Sequence, residues 1–589
     1  MDKSLPIGFS DFERIISSNS YYVDKTSFIP KYLGSTIEKD TAVNLFTRPR
    51  RFGKSLFLSV LKSFLTPNYK DFNDLSSHIA LFKDLDVYKD QEFCNRYMGK
   101  FPVVSISFKG AGTSTSYENS LRRILLRFSE LADTLEFLNQ YDLAEEDSDF
   151  LKLLKQAKTN ANIKLDITIL LSTICQIIFK YTKIKPIVLI DEYDVPLAKS
   201  FQTDYYQDFR QDYSDCLGNA LKDCDYVHKA FITGCLRVTK ESIFTGFNNF
   251  KVNSLTTFTD GSLFGFTQKE VEQMLKFYNL TEKADIFKTW YDGYRIAEEE
   301  IYCPWDVINY VSDCKSNADS YPLSYWNNSA SSEILRNIFE KSPDQYVKEF
   351  PKLLEFKDIE VNLNEGLSYQ EMAVSKNANQ FWTLLFSTGY LTLAKSYNPN
   401  TKSSLKIPNL CVKKCFETLA TWCFNSDNKS YQSTKNKLIE AFLKADDLLI
   451  SQILNKLLLI AISYRDFSKN LDKEGYYQAF LNGVFSEGIE QDIYSYAPNY
   501  ELGLGYADIC IVKRENGDVT KAAIIELKHS KNIDTLNEDS KKGLKQIFDK
   551  KYHLGLFEKH DTLKSISCIG LAFNGKQCAV ACKKANVNN

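Results

Sequence analysis

Residues 505–530 read GYADICIVKRENGDVTKAAIIELKHS, and this stretch decides the fold of the C-terminal part of the chain. Asp508 opens an apolar run, Ile509 to Val512, whose composition predicts a strand. Glu515-Asn516-Gly517-Asp518 predicts a turn, and Ala522 to Leu527 a second strand that ends in Glu526-Leu527-Lys528. Side chains alternate along a strand, so Glu526 and Lys528 share one face while Leu527 takes the other. A hairpin then brings Asp508 beside that pair. Two carboxylates and a lysine on one sheet edge can hold a divalent cation and activate a water against a phosphodiester.

An ordinary surface hairpin carrying a Glu–Lys pair is the plainer reading. Three features favour the chemical one. Glu526 interrupts the apolar run AAIIELK, where an unpaired charge is costly. Glu501 precedes Asp508 across Gly503 and Gly505, adding a carboxylate on a flexible approach. A helix-like stretch from Lys541 to Tyr552 carries Gln546, an amide suited to positioning near the site. On these residues the D…ExK arrangement resembles the PD-(D/E)xK nuclease superfamily. The resemblance implies magnesium, or manganese, held by Asp508 and Glu526. Lys528 would orient or deprotonate the nucleophile, with Glu501 or Gln546 assisting.

A second constellation lies at residues 44–55, NLFTRPRRFGKS. A short apolar strand runs into a loop ending Gly53-Lys54-Ser55, followed by a helical stretch from Leu56 to Leu65. In a P-loop, backbone amides and a helix N-terminus cradle phosphates, the lysine reaches the terminal phosphates and the serine ligates magnesium. Lys54 and Ser55 fit those roles, although Arg48 stands where the usual first glycine would be. Residues 186–192, PIVLIDE, supply the partner: an apolar strand ending in Asp191, for magnesium, and Glu192, to polarise the attacking water. Two acids at a strand end also cap helices, but the pairing with GKS is far less common by chance. Lys229 to Gly234 predicts the next strand, with Thr233 placed to sense the terminal phosphate. Arg237, just beyond, suits phosphate, a neighbouring subunit or a structural ion pair.

These blocks together resemble the bacterial AAA-ATPase-like proteins that carry a C-terminal PD-(D/E)xK nuclease domain. The most specific stretch is RPRRFGKS at 48–55, where the family also replaces the first glycine by arginine. Others are IGFSDF at 7–12, YVDKT at 22–26, LIDEYD at 189–194, TGFNN at 245–249, WYDGY at 290–294, YCPW at 302–305 and FSTGYL at 386–391. The resemblance covers most of the chain. It implies ATP as the nucleotide, contacted by Arg48, Arg51, Gly53, Lys54, Ser55, Asp191, Thr233 and Arg237, and homo-oligomeric assembly of uncounted size. Two positions depart from the family: Tyr506 replaces an arginine before the nuclease aspartate, and Gln478 stands where a histidine often follows the tyrosine.

With 589 residues the chain exceeds one core, and three or four domains is the natural expectation. The net charge of −2 argues against wholesale coating of nucleic acid. A local groove is still open, because Lys541, Lys542, Lys545, Lys550 and Lys551 crowd one segment; a solvated helix face explains that run equally well. The start, MDKSLPIGFSDFERI, lacks the pattern of a signal peptide, and no apolar run is long enough to cross a bilayer. Leu448 to Ser463 predicts a packed amphipathic helix instead. Fourteen cysteines without a signal peptide point to reduced thiols in the cytoplasm. Neither Cys411, Cys415 and Cys423 nor Cys578 and Cys582 has the paired spacing of structural zinc.

Thr267 and Glu270 form a capping box for a helix that closes the first module. The aromatic cluster from Trp290 to Trp305 predicts a lid core rather than a substrate surface, and residues 330–460 read mainly as amphipathic helices. Loops are expected at 396–400 and 425–428, and a linker at 466–473. The expected architecture is a multidomain α/β chain: an AAA-like P-loop module at 1–270, a helical middle region at 271–465 and a PD-(D/E)xK α/β domain at 466–589. The expected activity is ATP binding and hydrolysis coupled to magnesium-dependent cleavage of nucleic acid, most plausibly DNA. The alternative is an ATP-dependent switch or scaffold whose nuclease-like domain holds DNA or protein without cutting.

Overall fold

The computed structural model describes residues 3–34, 43–113, 115–222, 225–237, 250–257, 260–296, 298–326, 349, 352–353, 356–363, 378–415, 428–461, 473–485, 494–515, 518–575 and 577–587. The TGFNN stretch, Cys423 and the linker positions 466–472 lie outside them. The chain divides into two compact units, one of Met1–Ile338 with Asp358–Val412, the other of Phe339–Lys357 with Lys413–Asn589. Residues 271–465, grouped by sequence as one middle region, are thus shared between the two units.

The first unit is built on a parallel sheet of β1 (Val43–Thr47), β2 (Val103–Ser107), β3 (Ile187–Asp191), β4 (Lys229–Gly234) and β5 (Phe250–Asn253). Their order is β2-β3-β4-β1-β5. Every pairing is parallel. Strands buried on both faces read as continuous apolar runs, which is what VNLFT and IVLID are. Parallel strands need crossovers, and these are helices such as Lys54–Leu65 after β1 and Tyr206–Leu221 before β4. All C-terminal strand ends therefore lie along one edge, where ligands bind in such sheets. The helix Gln268–Phe277 begins with the expected capping box, Thr267 and Glu270 each bonding the other's backbone.

Beyond it, β6 (Phe266–Thr267), β7 (Tyr294–Ile296) and β8 (Glu299–Tyr302) form a small sheet, and β9 (Ile359–Val361), β10 (Thr392–Leu393) and β11 (Ser403–Lys406) another. Strand pairs of two to four residues carry too little periodicity to stand out from the surrounding helices, which include Pro304–Ser316 and Ala378–Thr388. Tyr291 and Tyr294 are buried, as a lid core requires, whereas Trp290 and Trp305 are only half-buried.

The second unit has a mixed sheet in simple sequence order: β12 (Tyr494–Leu502), β13 (Gly505–Glu515), β14 (Asp518–His529), β15 (Ser565–Asn574) and β16 (Gln577–Asn586). Only β14 and β15 run parallel. Their crossover is the helix pair Leu536–Asp549 and Tyr552–Lys559, which starts and breaks earlier than the expected stretch 541–552 because Lys551 adopts a left-handed conformation, φ 57°. One sheet face packs Ile509, Ile525 and Leu527 against Leu454, Phe480 and Phe442. The other packs Cys510, Ile524 and Ile566 against Ile547 and Leu556. The sheet is thus sandwiched between helices, with Asp447–Ala461 taking the place foreseen for the apolar stretch at 448–463.

Glycine fixes how closely the crossover helix approaches. A Cβ on Gly570 would overlap Ser540 O and Leu544 N, and one on Gly543 would sit 3.2 Å from Glu526 O. That contact seats the helix directly over β14. Gly570→Ala is therefore expected to lower the stability of the second unit by about 1–3 kcal/mol or more, seen as a drop in Tm by calorimetry of the whole chain. An unchanged melting profile would show the packing to be looser than described.

Candidate nucleotide and metal sites

At the first site the loop between β1 and its helix wraps over the strand ends. Arg51 and Gly53 both take left-handed conformations, φ 69° and 89°, which turn the chain tightly into the helix N-terminus. Lys54 is buried, its ammonium donating to Arg48 O at 2.9 Å and Pro49 O at 2.8 Å. The Ser55 hydroxyl donates to Asp191 Oδ2 at 2.5 Å. Asp191 Oδ1 accepts from Thr233 Oγ1 at 2.5 Å and from the Glu192 amide at 3.0 Å. Glu192 itself is left-handed, φ 54°, a strained setting for a residue with a Cβ. Its carboxyl is held above the ordinary range by burial and by the charges of Asp191 and Asp194.

These groups border a cavity of about 690 Å³, with Arg50, Lys54, Ser55, Asp191, Glu192 and Cys235 in its wall. Three expected contacts lie elsewhere. Arg48 is fully buried and spends its guanidinium on the carbonyls of Thr47, at 2.9 Å, and Asn253, at 2.8 Å, tying the loop to β5. Thr233 is buried and positions Asp191 rather than lining the cavity. Arg237 is half-buried beyond β4, outside the wall. Arg51 does line it, but its guanidinium stacks 4.9 Å over Trp305 and donates to Tyr325 O.

Sequence reasoning missed Arg50, which reaches Cys235 and the Asp194 and Glu192 charges. It also missed Asp194, which accepts the amides of Cys235 at 3.1 Å and Leu236 at 3.0 Å. Both sit inside quoted motifs, where adjacent arginines and acids are distinguishable only by where the backbone aims them. Ser55 and Asp191 form a hydroxyl–carboxylate pair suited to a hard cation beside phosphate, and the ammonium of Lys54 adds the complementary charge.

The second site forms where the β12–β13 hairpin leaves β14. Ile509↔Ile525 is the last pair between the strands, and from Ala507 to Gly505 β13 pairs only with β12. Asn499, opposite Asp508, is left-handed at φ 49°. The faces switch there: Ala507 packs with one core and Ile509 with the other, although a regular strand would put both on one side. In the gap, Asp508 Oδ2 accepts the Leu527 amide at 2.7 Å. Glu526 is buried, its Oε1 contacted by Gln546 Nε2 and by Lys528 Nζ at 3.3 Å. Lys528 also pairs with Glu474 at 3.5 Å.

Burial raises the pKa of Asp508, only partly offset by the Leu527 amide and Lys528. Burial, and then the charge of Asp508, raises that of Glu526. Burial works against the charge of Lys528, but Glu526, Glu474 and Asp508 outweigh it and keep the ammonium protonated. Glu526 Oε2 is buried with no hydrogen-bond partner among the described residues. An orphaned carboxylate oxygen beside a second carboxylate is the donor set that a divalent cation would satisfy. Among the described residues no third Asp, Glu, His or Cys completes such a group. Magnesium, which keeps several waters, suits two carboxylates.

Glu501 is exposed opposite Tyr506 and makes no described contact with this cluster, because its strand has already diverged from β14. Glu474 was missed, since its helix, Lys473–Phe485, meets Lys528 only in three dimensions. Gln478 donates to Asn499 Oδ1 at 2.8 Å and Asp508 O at 3.3 Å, so it braces the backbone of the bend.

Comparison with known proteins matches two regions of the chain to known families. Residues 6–244 match the family described as "Predicted AAA-ATPase", and residues 472–583 match the PD-(D/E)XK nuclease superfamily. The chain thus carries an AAA-ATPase-like domain and, toward its C-terminus, a domain of the PD-(D/E)XK nuclease superfamily. It is similar to a protein of Azotobacter chroococcum mcd 1 described as "Uncharacterized protein in vnfD 5'region". The two are 26% identical over 419 residues, which cover 70% of this chain and 68% of that one. No helix among the described residues is long and apolar enough to cross a membrane.

The raised carboxyls make stability depend on pH. Above the ordinary carboxylate range the folded site still holds protons that the unfolded chain has released. The unfolded state then binds fewer protons, so stability falls as pH rises. In EDTA, the Tm of Glu526→Gln minus that of the wild type is expected to grow from about pH 5 to about pH 8. A difference that is flat or shrinks would contradict the assignment.

Proposed function

We propose that this protein binds and hydrolyses ATP in its N-terminal unit and cleaves DNA in its C-terminal unit in a magnesium-dependent reaction. The observation that carries the nuclease reading is Glu526, a buried carboxylate with an orphaned oxygen beside Asp508 and a protonated lysine. The proposed division of labour follows the sequence: ATPase at 1–270, a coupling region at 271–465 and nuclease at 466–589. A cytoplasmic location is part of the reading, supported by the absence of any disulfide among the described cysteines.

In the ATPase, the loop amides and Lys54 would bind phosphates, and Ser55 with Asp191 would hold magnesium. Thr233 keeps the Asp191 carboxylate turned toward Ser55. Glu192, its pKa raised by burial and by the charges of Asp191 and Asp194, accepts a proton from the attacking water. In the nuclease, the bound cation would polarise the scissile phosphate and lower the pKa of a water. Asp508 and Glu526 would hold it, the Leu527 amide orients Asp508, and Gln546 orients Glu526. Because three carboxylates keep Lys528 charged, it serves as a donor that orients the water and steadies developing phosphate charge, rather than as a base.

The test is cleavage of linear and circular DNA by the purified chain with magnesium or manganese, with and without ATP. Cutting is expected to fall about a hundredfold or more in Glu526→Gln and in Lys528→Ala. Lys54→Ala is expected to abolish ATP turnover, and its effect on cutting reports the coupling. Absence of cutting by the wild type under every metal and nucleotide condition would move the reading to a DNA-holding switch.

A further inference from the structure

The tip of the β12–β13 hairpin presents two large apolar side chains to solvent. Leu504 is 66% exposed and Tyr506 59%. The Tyr506 side chain makes no described hydrogen bond or ring contact. It stands two residues before Asp508, about 7 Å along the strand. The exposure does not come from a slack loop. The Leu504 amide donates to Lys550 O at 2.9 Å. Gly503 is left-handed, φ 52°, and a Cβ there would sit 2.5 Å from Lys551 O and 2.6 Å from Lys550 O. A Cβ on Gly555 would meet Gly503 N at 2.5 Å, and one on Gly505 would meet the Tyr552 hydroxyl at 3.2 Å. Lys559 closes the other side, donating to Glu501 O at 2.8 Å and lying 4.4 Å over the Tyr500 ring. Backbone is pressed on backbone at Gly503 and Gly555, so Leu504, between Gly503 and Gly505, is turned outward, and Tyr506 follows it on the held strand.

We propose that this clamped tip is a stacking platform for unpaired DNA. Tyr506, with Leu504 beside it, covers the face of an unstacked base, and Lys550 and Lys551 contact the flanking phosphates. The second unit therefore prefers single strands or frayed ends to continuous duplex. The inference rests on the nuclease reading and deepens it by naming the substrate. Charge points the same way: Lys550 and Lys551 are exposed beside the tip, but so are Asp549 and Glu501. A face so mixed cannot hold a duplex backbone by charge alone, and affinity must come from stacking, which is sequence-tolerant. A platform that is already rigid loses little conformational entropy on binding.

The test is fluorescence anisotropy of the full-length chain in EDTA, with fluorescein-labelled oligo-dT and a blunt duplex hairpin of equal length. The wild type is expected to prefer the single strand. Tyr506→Ala weakens oligo-dT binding by about tenfold, and Tyr506→Phe binds like the wild type because the ring is kept. Duplex binding changes by less than about twofold in both, since a stacked duplex offers no free base face. The dependence of affinity on salt is shallow, with a log–log slope of about −1.4 from two phosphates. Unchanged oligo-dT binding by Tyr506→Ala, at an unchanged Tm, overturns the platform and leaves the nuclease reading standing. A wild type that binds neither DNA, in EDTA or with calcium in place of magnesium, overturns both.

Discussion

A carboxylate at the end of an apolar strand is costly to take out of water, and both units of this chain set one there, Asp191 half-buried and Glu526 buried. Moving such a charge out of water is unfavourable by several kcal/mol unless neighbours compensate. Asp191 ends β3 with both oxygens occupied by Ser55, Thr233 and the Glu192 amide. Glu526 lies near the end of β14, and only one of its oxygens is satisfied by described groups. Much of the surrounding packing follows from supplying, or withholding, those partners.

The two sheets reach this arrangement by different routes. In the first, all strands are parallel, so the loop after β1 and the acids after β3 meet at one edge without any distortion of the strands. In the second, an antiparallel hairpin has to separate from β14 to open a gap for Asp508. The left-handed Asn499 and the exchange of faces between Ala507 and Ile509 make that separation. Gly543 and Gly570 then let the crossover helix approach until Gln546 touches Glu526. The helix that carries Glu474 approaches from the other face and completes the environment of Lys528.

What could be read directly was whatever depends on local spacing. GKS after an apolar strand, IVLID followed by glutamate, the Thr267–Glu270 box and the D…ExK alternation each express one strand or one helix turn, and the elements they predict are present. What could not be read depends on where separate elements meet. Arg48, Arg50 and Arg51 are of one type, yet one ties the loop to β5, one reaches Cys235 and one stacks on Trp305. Glu501 looked well placed because it is near Asp508 in sequence, but the divergence of the hairpin leaves it outside the described cluster. Glu474 looked remote, and it pairs with Lys528. The short strands β7 to β11 escaped notice because two to four residues carry almost no period.

The central claim is that buried Glu526 and half-buried Asp508 are set side by side in order to share a cation. It is tested most directly by anomalous diffraction from crystals of the whole chain grown with manganese. The account predicts a peak within bonding distance of both carboxylates, reached by the orphaned oxygen of Glu526. A map without that peak, or with manganese bound in the second unit but away from these two residues, would contradict it.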